Sequence, residues 1–155
     1  MKPKTIFGAA LLILAAACLV YLAVSAALGP ASDDPPAEGA PAELADGVIV
    51  TYFLTDIRCP TCHQIEAYTR EAVETGFADA LREGRLMWRT VNTDREDNKH
   101  FIDDYGLTAK AVVLSRRQGG QEVDWKNLDR IWDLVGDKDA FTAYIRDEVA
   151  AFLKG

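Results

Sequence analysis

The sequence predicts an α/β domain over residues 47–155, a small mixed sheet with helices on both faces. Three observations carry that prediction. Short β-branched runs alternate with helix-periodic stretches, the last two strands meet at a Gly-Gly turn, and the first strand leads within a few residues into a helix that opens on Pro60. The element order is β-α-β-α-β-β-α, read as two parallel βαβ steps followed by a hairpin and a closing helix.

Gly47 to Leu54, GVIVTYFL, is the first strand, apolar enough to be buried on both faces. From Pro60 to Phe77, Ile65, Tyr68, Ala72 and Val73 fall on one face at helical spacing, while Glu66, Arg70, Glu71 and Glu74 lie elsewhere. LMWRTVN, Leu86 to Asn92, is the second strand. Asp94 is the expected N-cap of a helix that reaches Tyr105, and Gly106 supplies a left-handed stop. The third strand, AVVLSR, begins at Ala111, turns at Gly119 and Gly120 into an antiparallel QEVDW strand, and is followed by a last helix from Lys138 to Leu153.

The residues before this domain are of a different kind. Thr5 to Leu28 contains no charged residue, and about 20 apolar residues suffice to span a bilayer. Lys2 and Lys4 precede the run, so the positive-inside rule keeps the N-terminus in the cytoplasm and sends the remainder across. The expected organisation is an anchor or uncleaved signal over residues 1–28, a flexible Pro/Ala/acidic linker over 29–46, and the domain over 47–155. This describes a single-pass membrane protein with its C-terminal domain extracytoplasmic, on the periplasmic side. A cleaved signal peptide is the rival, with Ser25 and Ala27 as small residues near a processing site, but its apolar region usually runs only about 7 to 15 residues. Cys18, inside the apolar run, reads as a small residue of the anchor rather than a lipidation site.

The whole chain carries 24 acidic against 17 basic residues, a net charge of −7, with both signs interspersed through the domain. Such a surface keeps a protein soluble and makes nucleic acid an unexpected partner. It names no substrate.

Chemistry concentrates at Cys59, Pro60, Thr61 and Cys62, a Cys-x-x-Cys at the first strand-to-helix turn, where open α/β sheets place their sites. The spacing lets the sulfurs pair, and Pro60 can start the helix without losing a needed N–H. Cys59 at the helix start faces unpaired N–H groups and the positive end of the macrodipole, both of which favour thiolate, and Arg58 is expected to act in the same direction. Cys59 is therefore the candidate nucleophile and Cys62 the resolving thiol of a redox-active disulfide, with Arg58, Pro60, Thr61 and His63 in support.

Three rivals remain open at this point. With His63 the string is Cys-x-x-Cys-His, the attachment motif for c-type haem, for which Met87 and His100 are the available distal ligands. Zinc would need Cys59, Cys62, His63 and His100 together. A purely structural disulfide would close too short a loop to stabilise much. The strand-before, helix-after context favours the redox pair, with no metal and no cofactor expected.

Through VIVTYFL, the CPTC turn and its helix, Tyr105-Gly106-Leu107 and AVVLS, residues 47–155 resemble the thioredoxin superfamily. More narrowly, CPTCHQIEAYTREAVETGFADAL, WRTVN and WKNLDRIWDLVGDKDAF resemble the bacterial nitrophenyl-compound nitroreductase subunit (ArsF) family of thioredoxin-like proteins. The resemblance implies a three-layer α/β/α sandwich and dithiol–disulfide exchange at Cys59 and Cys62 with a protein thiol or disulfide partner. The narrower name implies electron supply to another subunit, since no Gly-x-Gly-x-x-Gly or other flavin signature is present.

Two departures from the superfamily stand out. Its cis-proline before the third strand aligns near Ala111, where this chain has no proline, so a trans bond is expected. Its buried aspartate behind the cysteines aligns with Phe53, leaving water or the nearby loop residue Asp56 to move protons to Cys62.

A non-catalytic adaptor that keeps a stable disulfide and binds a membrane partner through its Trp-rich C-terminal segment is the alternative from another class. Trp88, Trp125 and Trp132 are expected in the core, as aromatic residues of small domains usually are. His63 reads as either a neighbour of the Cys62 sulfur or a solvated helix residue, and Arg116 and Arg117 as surface.

Overall fold

The structure, a computed structural model, describes residues 44–155. The expected anchor, Cys18 and the linker up to residue 43 lie outside the described residues. Among the described residues no helix is long and apolar enough to cross a membrane.

The apolar runs become β1 (Gly47–Leu54), β2 (Leu86–Asn92) and β3 (Ala111–Gln118), and the exposed QEVDWKN run becomes β4 (Gln121–Asn127). They form one mixed sheet in the order β2-β1-β3-β4. β1 and β2 are parallel, from Val48 opposite Leu86 to Leu54 opposite Asn92. β3 runs antiparallel to β1, with Phe53 opposite Ala111, and β4 antiparallel to β3. This is a thioredoxin-like α/β fold with a four-stranded mixed sheet.

The antiparallel β3 corrects one expectation, because the second βαβ step is not parallel. Between β2 and β3 the chain forms only a 3-10 turn at Glu96–Asn98 and one short helix, His100–Asp104. A five-residue helix spans about 7.5 Å at 1.5 Å per residue. A strand of seven residues is about 23 Å long. So short a helix does little to carry the chain back along the sheet, and β3 starts at the end where β2 stops.

Five α-helices are present among the described residues: α1 (Pro60–Gly76), α2 (Ala78–Arg82), α3 (His100–Asp104), α4 (Ile131–Leu134) and α5 (Lys138–Lys154). α2 and α4 were not foreseen. Each is too short to show a helical period, and α2 is separated from α1 only by the non-helical Phe77, at φ −136° and ψ 33°. Asp94 caps neither the 3-10 turn nor α3, a second correction. Its carboxylate instead accepts from the Asp56 N–H at 2.8 Å. Gly106 does stop α3: at φ +57° it lets its own N–H reach the Asp103 carbonyl and Leu107 N–H the Ile102 carbonyl, the paired bonds of a Schellman end.

The larger core lies on one face of the sheet, where Val48, Val50 and Tyr52 meet Ile65, Ala72 and Val73 of α1 and Phe141, Ile145 and Val149 of α5. On the other face Phe53, Val91, Ala111, Val113 and Tyr105 form a second cluster, with Phe101 and Leu107 packed against it. α5 starts cleanly because the Asp137 carboxylate accepts from the N–H groups of Asp139 and Ala140, both at 3.1 Å.

The last linker residues fasten the domain at the far end of the sheet. The Ala45 carbonyl accepts from Gly120 N–H at 2.8 Å and the Asp46 carboxylate from Gly119 N–H at 2.7 Å. β1 then begins at Gly47 with φ +128°, and a Cβ there would stand 2.5 Å from the Arg85 carbonyl oxygen. Gly47→Ala is therefore expected to cost more than about 1 kcal/mol, read as a lower denaturant midpoint at an unchanged slope.

Candidate active site

Cys59 and Cys62 are joined as a disulfide, with Cα atoms 5.1 Å apart, at the turn from β1 into α1. Cys59 is the N-cap of α1 in extended backbone conformation, and its Sγ accepts from the Cys62 N–H at 3.2 Å. Pro60 occupies the first turn, where a missing N–H costs nothing. The sulfur of Cys59 thus sits among the unpaired N–H groups of a 17-residue helix, which is the placement that stabilises a thiolate. The two cysteines differ in access. Cys59 is exposed, whereas Cys62 is 2 % exposed.

Behind the pair, the buried Tyr52 hydroxyl donates to the Cys62 carbonyl at 2.9 Å. Burial pushes the Tyr52 phenol up to about 12, so it remains a donor through the physiological range. Arg58 does not point freely at the sulfurs. It pairs with the Glu66 carboxylate, and its charge opposes the upward shift of the Tyr52 phenol, while Glu66 also accepts from Arg70 at 2.7 Å. Thr61 is half-buried and His63 is exposed on α1, its N–H bonded to the Cys59 carbonyl.

The loop between β1 and Cys59 is held by polar side chains from the end of β2. The Asn92 amide donates to the Asp56 carboxylate at 2.7 Å, and its oxygen accepts from Asp94 N–H at 2.9 Å. Thr93 closes the other side through its N–H and hydroxyl, both bonded to the Leu54 carbonyl. Asp56 is a loop residue as expected, but its carboxylate is bonded to Asn92. Sequence reasoning missed Asn92 and Thr93, whose only signal was polarity at the end of an otherwise apolar parallel strand. Asn92→Ala is expected to loosen the Cys59 loop and cost roughly 1–2 kcal/mol, measured by thermal unfolding of the oxidised protein.

A groove of about 450 Å³ runs beside the disulfide. Phe53, Leu54, Ile102, Leu107, Ala109 and Trp132 supply its apolar wall, and Lys110 is the one charged residue lining it. Phe53, aligned with the superfamily's buried aspartate, is itself buried against Phe101 and Tyr105. The bond before Ala111 is trans, like every peptide bond among the described residues. Beside it the Trp132 indole N–H donates to the Lys110 carbonyl at 3.1 Å.

The tryptophans divide in a way the sequence did not show. Trp88 packs partly buried against the larger core, but Trp125 and Trp132 are 43 % and 39 % exposed. Trp125 lies on β4, where it meets Tyr105 edge-on at 5.2 Å, and Trp132 borders the groove. Arg116 and Arg117 are half-buried rather than fully solvated, Arg116 lying over the Phe152 ring.

Among the described residues no group of three or more Cys, His, Asp or Glu is placed to hold a metal. His100 is bonded to Asp104 at 2.6 Å, and its ring lies tilted against Phe101. Met87 lies in β2, and the two sulfurs that haem attachment would consume are joined to each other.

No protein-family model matches the chain, and no curated protein matches it in sequence. Among solved structures it is similar to oxidised thioredoxin from Plasmodium falciparum, at 14% identity and a TM-score of 0.43, covering 68% of this chain and 85% of that one. The reduced Schistosoma mansoni thioredoxin pre-protein aligns at 16% identity and a TM-score of 0.42, covering 70% and 81%. Mitochondrial thioredoxin 3 of Saccharomyces cerevisiae aligns at 14% identity and a TM-score of 0.40, covering 67% and 81%.

Proposed function

We propose that the protein is a thiol–disulfide oxidoreductase working through Cys59 and Cys62. One observation carries the reading: an exposed sulfur at a helix N-terminus is paired with a buried one three residues on, at the mouth of an apolar groove. In the reduced state the Cys59 thiolate attacks one sulfur of a partner disulfide and expels the other as a thiolate, which takes up a proton. Cys62 then loses its proton and attacks Cys59 Sγ, releasing the second partner sulfur. Two electrons pass to the partner, whose two sulfurs take up the proton given up by Cys62 and one from solvent, and the Cys59–Cys62 disulfide of the structure is left. The same steps run backwards when a partner thiolate attacks the exposed Cys59 sulfur.

The groove fits a polypeptide partner with apolar residues beside its cysteine. The uncharged run Thr5–Leu28 behind Lys2 and Lys4 supports a tethered protein with this domain outside the cytoplasm. The likeness of the CPTC helix and the WKNLDRIWDLVGDKDAF segment to the nitrophenyl-compound nitroreductase subunit family supports a role delivering electrons to another subunit. The adaptor reading keeps one observation in its favour, the Trp132 indole already occupying the Lys110 carbonyl at the edge where a partner backbone would pair.

The test is exchange with a synthetic peptide disulfide flanked by apolar residues. The chain is expected to reduce it when coupled to a dithiol, and Cys59→Ser to reduce it no faster than the dithiol alone. Equal rates with and without the protein would contradict the reading.

A further inference from the structure

Three charged side chains and one phenol stand behind the cysteine turn. Arg70 and Arg58 both bond the Glu66 carboxylate, the Arg58 charge acts on the Tyr52 phenol, and the Tyr52 hydroxyl donates to the Cys62 carbonyl. The ion pair is not an ordinary solvated one. The Glu66 and Arg58 side chains are only 14% and 24% exposed, so their charges are weakly screened. Arg58 Nε is buried without a hydrogen-bond partner, and the guanidinium is held at Nη2 by the Glu66 carboxylate. Arg58 is also the residue next to Cys59 in the chain, and its charge acts on the phenol that bonds the Cys62 carbonyl.

We propose that Glu66 is the positioning residue that sets the redox potential of the Cys59–Cys62 pair, by holding the Arg58 guanidinium and cancelling its charge near Tyr52, whose hydroxyl bonds the Cys62 carbonyl. The inference rests on the exchange reading given above. Reduction adds two electrons to the disulfide and creates negative charge at Cys59, so an uncompensated cation nearby favours the reduced form. Glu66 withholds that help. The other polar groups around the pair do not take its place: Asp56 is engaged by Asn92 in the loop, Lys110 lines the groove, and the helix N-terminus is present whatever Glu66 does.

The experiment is equilibrium titration of the full-length chain against a thiol redox buffer at fixed pH, for the parent protein, Glu66→Gln, Arg58→Gln and the double substitution. Glu66→Gln is expected to favour the reduced form about tenfold, a midpoint about 30 mV higher for two electrons. Arg58→Gln is expected to move the midpoint down, and the double substitution to return it close to the parent value. Should Glu66→Gln fail to fold, Arg70→Gln at an exposed position serves instead, expected to lower the midpoint less than Arg58→Gln does. A purely structural role predicts shifts of one sign in both single variants, with no recovery in the double. That result, or unchanged midpoints, overturns the inference while leaving a reversible parent midpoint, and with it the exchange reading, intact. A parent with no reversible midpoint overturns both.

Discussion

Cys62→Ser is expected to arrest exchange halfway, with the partner held covalently on Cys59. The argument is one of access and order. Cys59 is the exposed sulfur at the helix N-cap, so it meets the partner first, while Cys62 is 2 % exposed and can reach only Cys59. Without the buried thiol nothing inside the protein cleaves the mixed disulfide. Steady-state turnover falls to the uncatalysed level, and a higher-mass band sensitive to reductant appears on a non-reducing gel. Serine is nearly the size of cysteine, and the Tyr52 bond to the residue 62 carbonyl is a main-chain contact, so the fold is expected to survive. Cys59→Ser should trap nothing. An adaptor would keep its partner in both variants and form no mixed disulfide in either.

The largest loss of stability is expected from Phe141→Ala. Phe141 is completely buried in the larger core, where its ring meets Tyr68 edge-on at 5.7 Å between α5 and α1. Truncation removes the filling between these two 17-residue helices at a point where neither can move in without leaving the sheet. The cost is about 3–5 kcal/mol. A domain of this size should then melt more than about 10 °C lower. Phe141 belongs to the core and not to the groove, so the oxidised variant is expected to exchange at a near-parent rate below its melting temperature. Calorimetry and the peptide assay together check both halves.

The parts of the fold that were legible from the residues are those with a sufficient period. α1 repeats its apolar positions over more than two helical turns, and Ile65, Ala72 and Val73 are buried as their spacing predicts. The β-branched runs gave β1 to β3 their starts, and the Gly119-Gly120 turn gave β3 and β4 their pairing. Strand direction was less accessible. Nothing in residues 93–110 separates a crossover helix from a short connector, because the distinction rests on how far the chain travels. Asp94 resembled a cap because aspartate before a helix usually is one, yet its carboxylate is drawn to the Asp56 N–H across the loop. That partner is 38 residues away in sequence, beyond any local pattern.

The candidate site divides in the same manner. Cys59, Pro60 and Cys62 could be found from spacing alone, since four consecutive residues carry the geometry. Arg58 was legible as a neighbour of Cys59, but its engagement by Glu66 eight residues on was not. The exposure of Trp132 follows from its place on a four-residue helix at the groove edge, which has no periodic face to turn inward.

The central claim, that Cys59 and Cys62 form a working redox pair, is tested most directly by titrating the purified chain against a thiol redox buffer while recording its absorbance. The account predicts one reversible two-electron midpoint within the buffering range and no visible absorption band. A disulfide that no buffer reduces without unfolding the protein, or a Soret band from covalently attached haem, would contradict it.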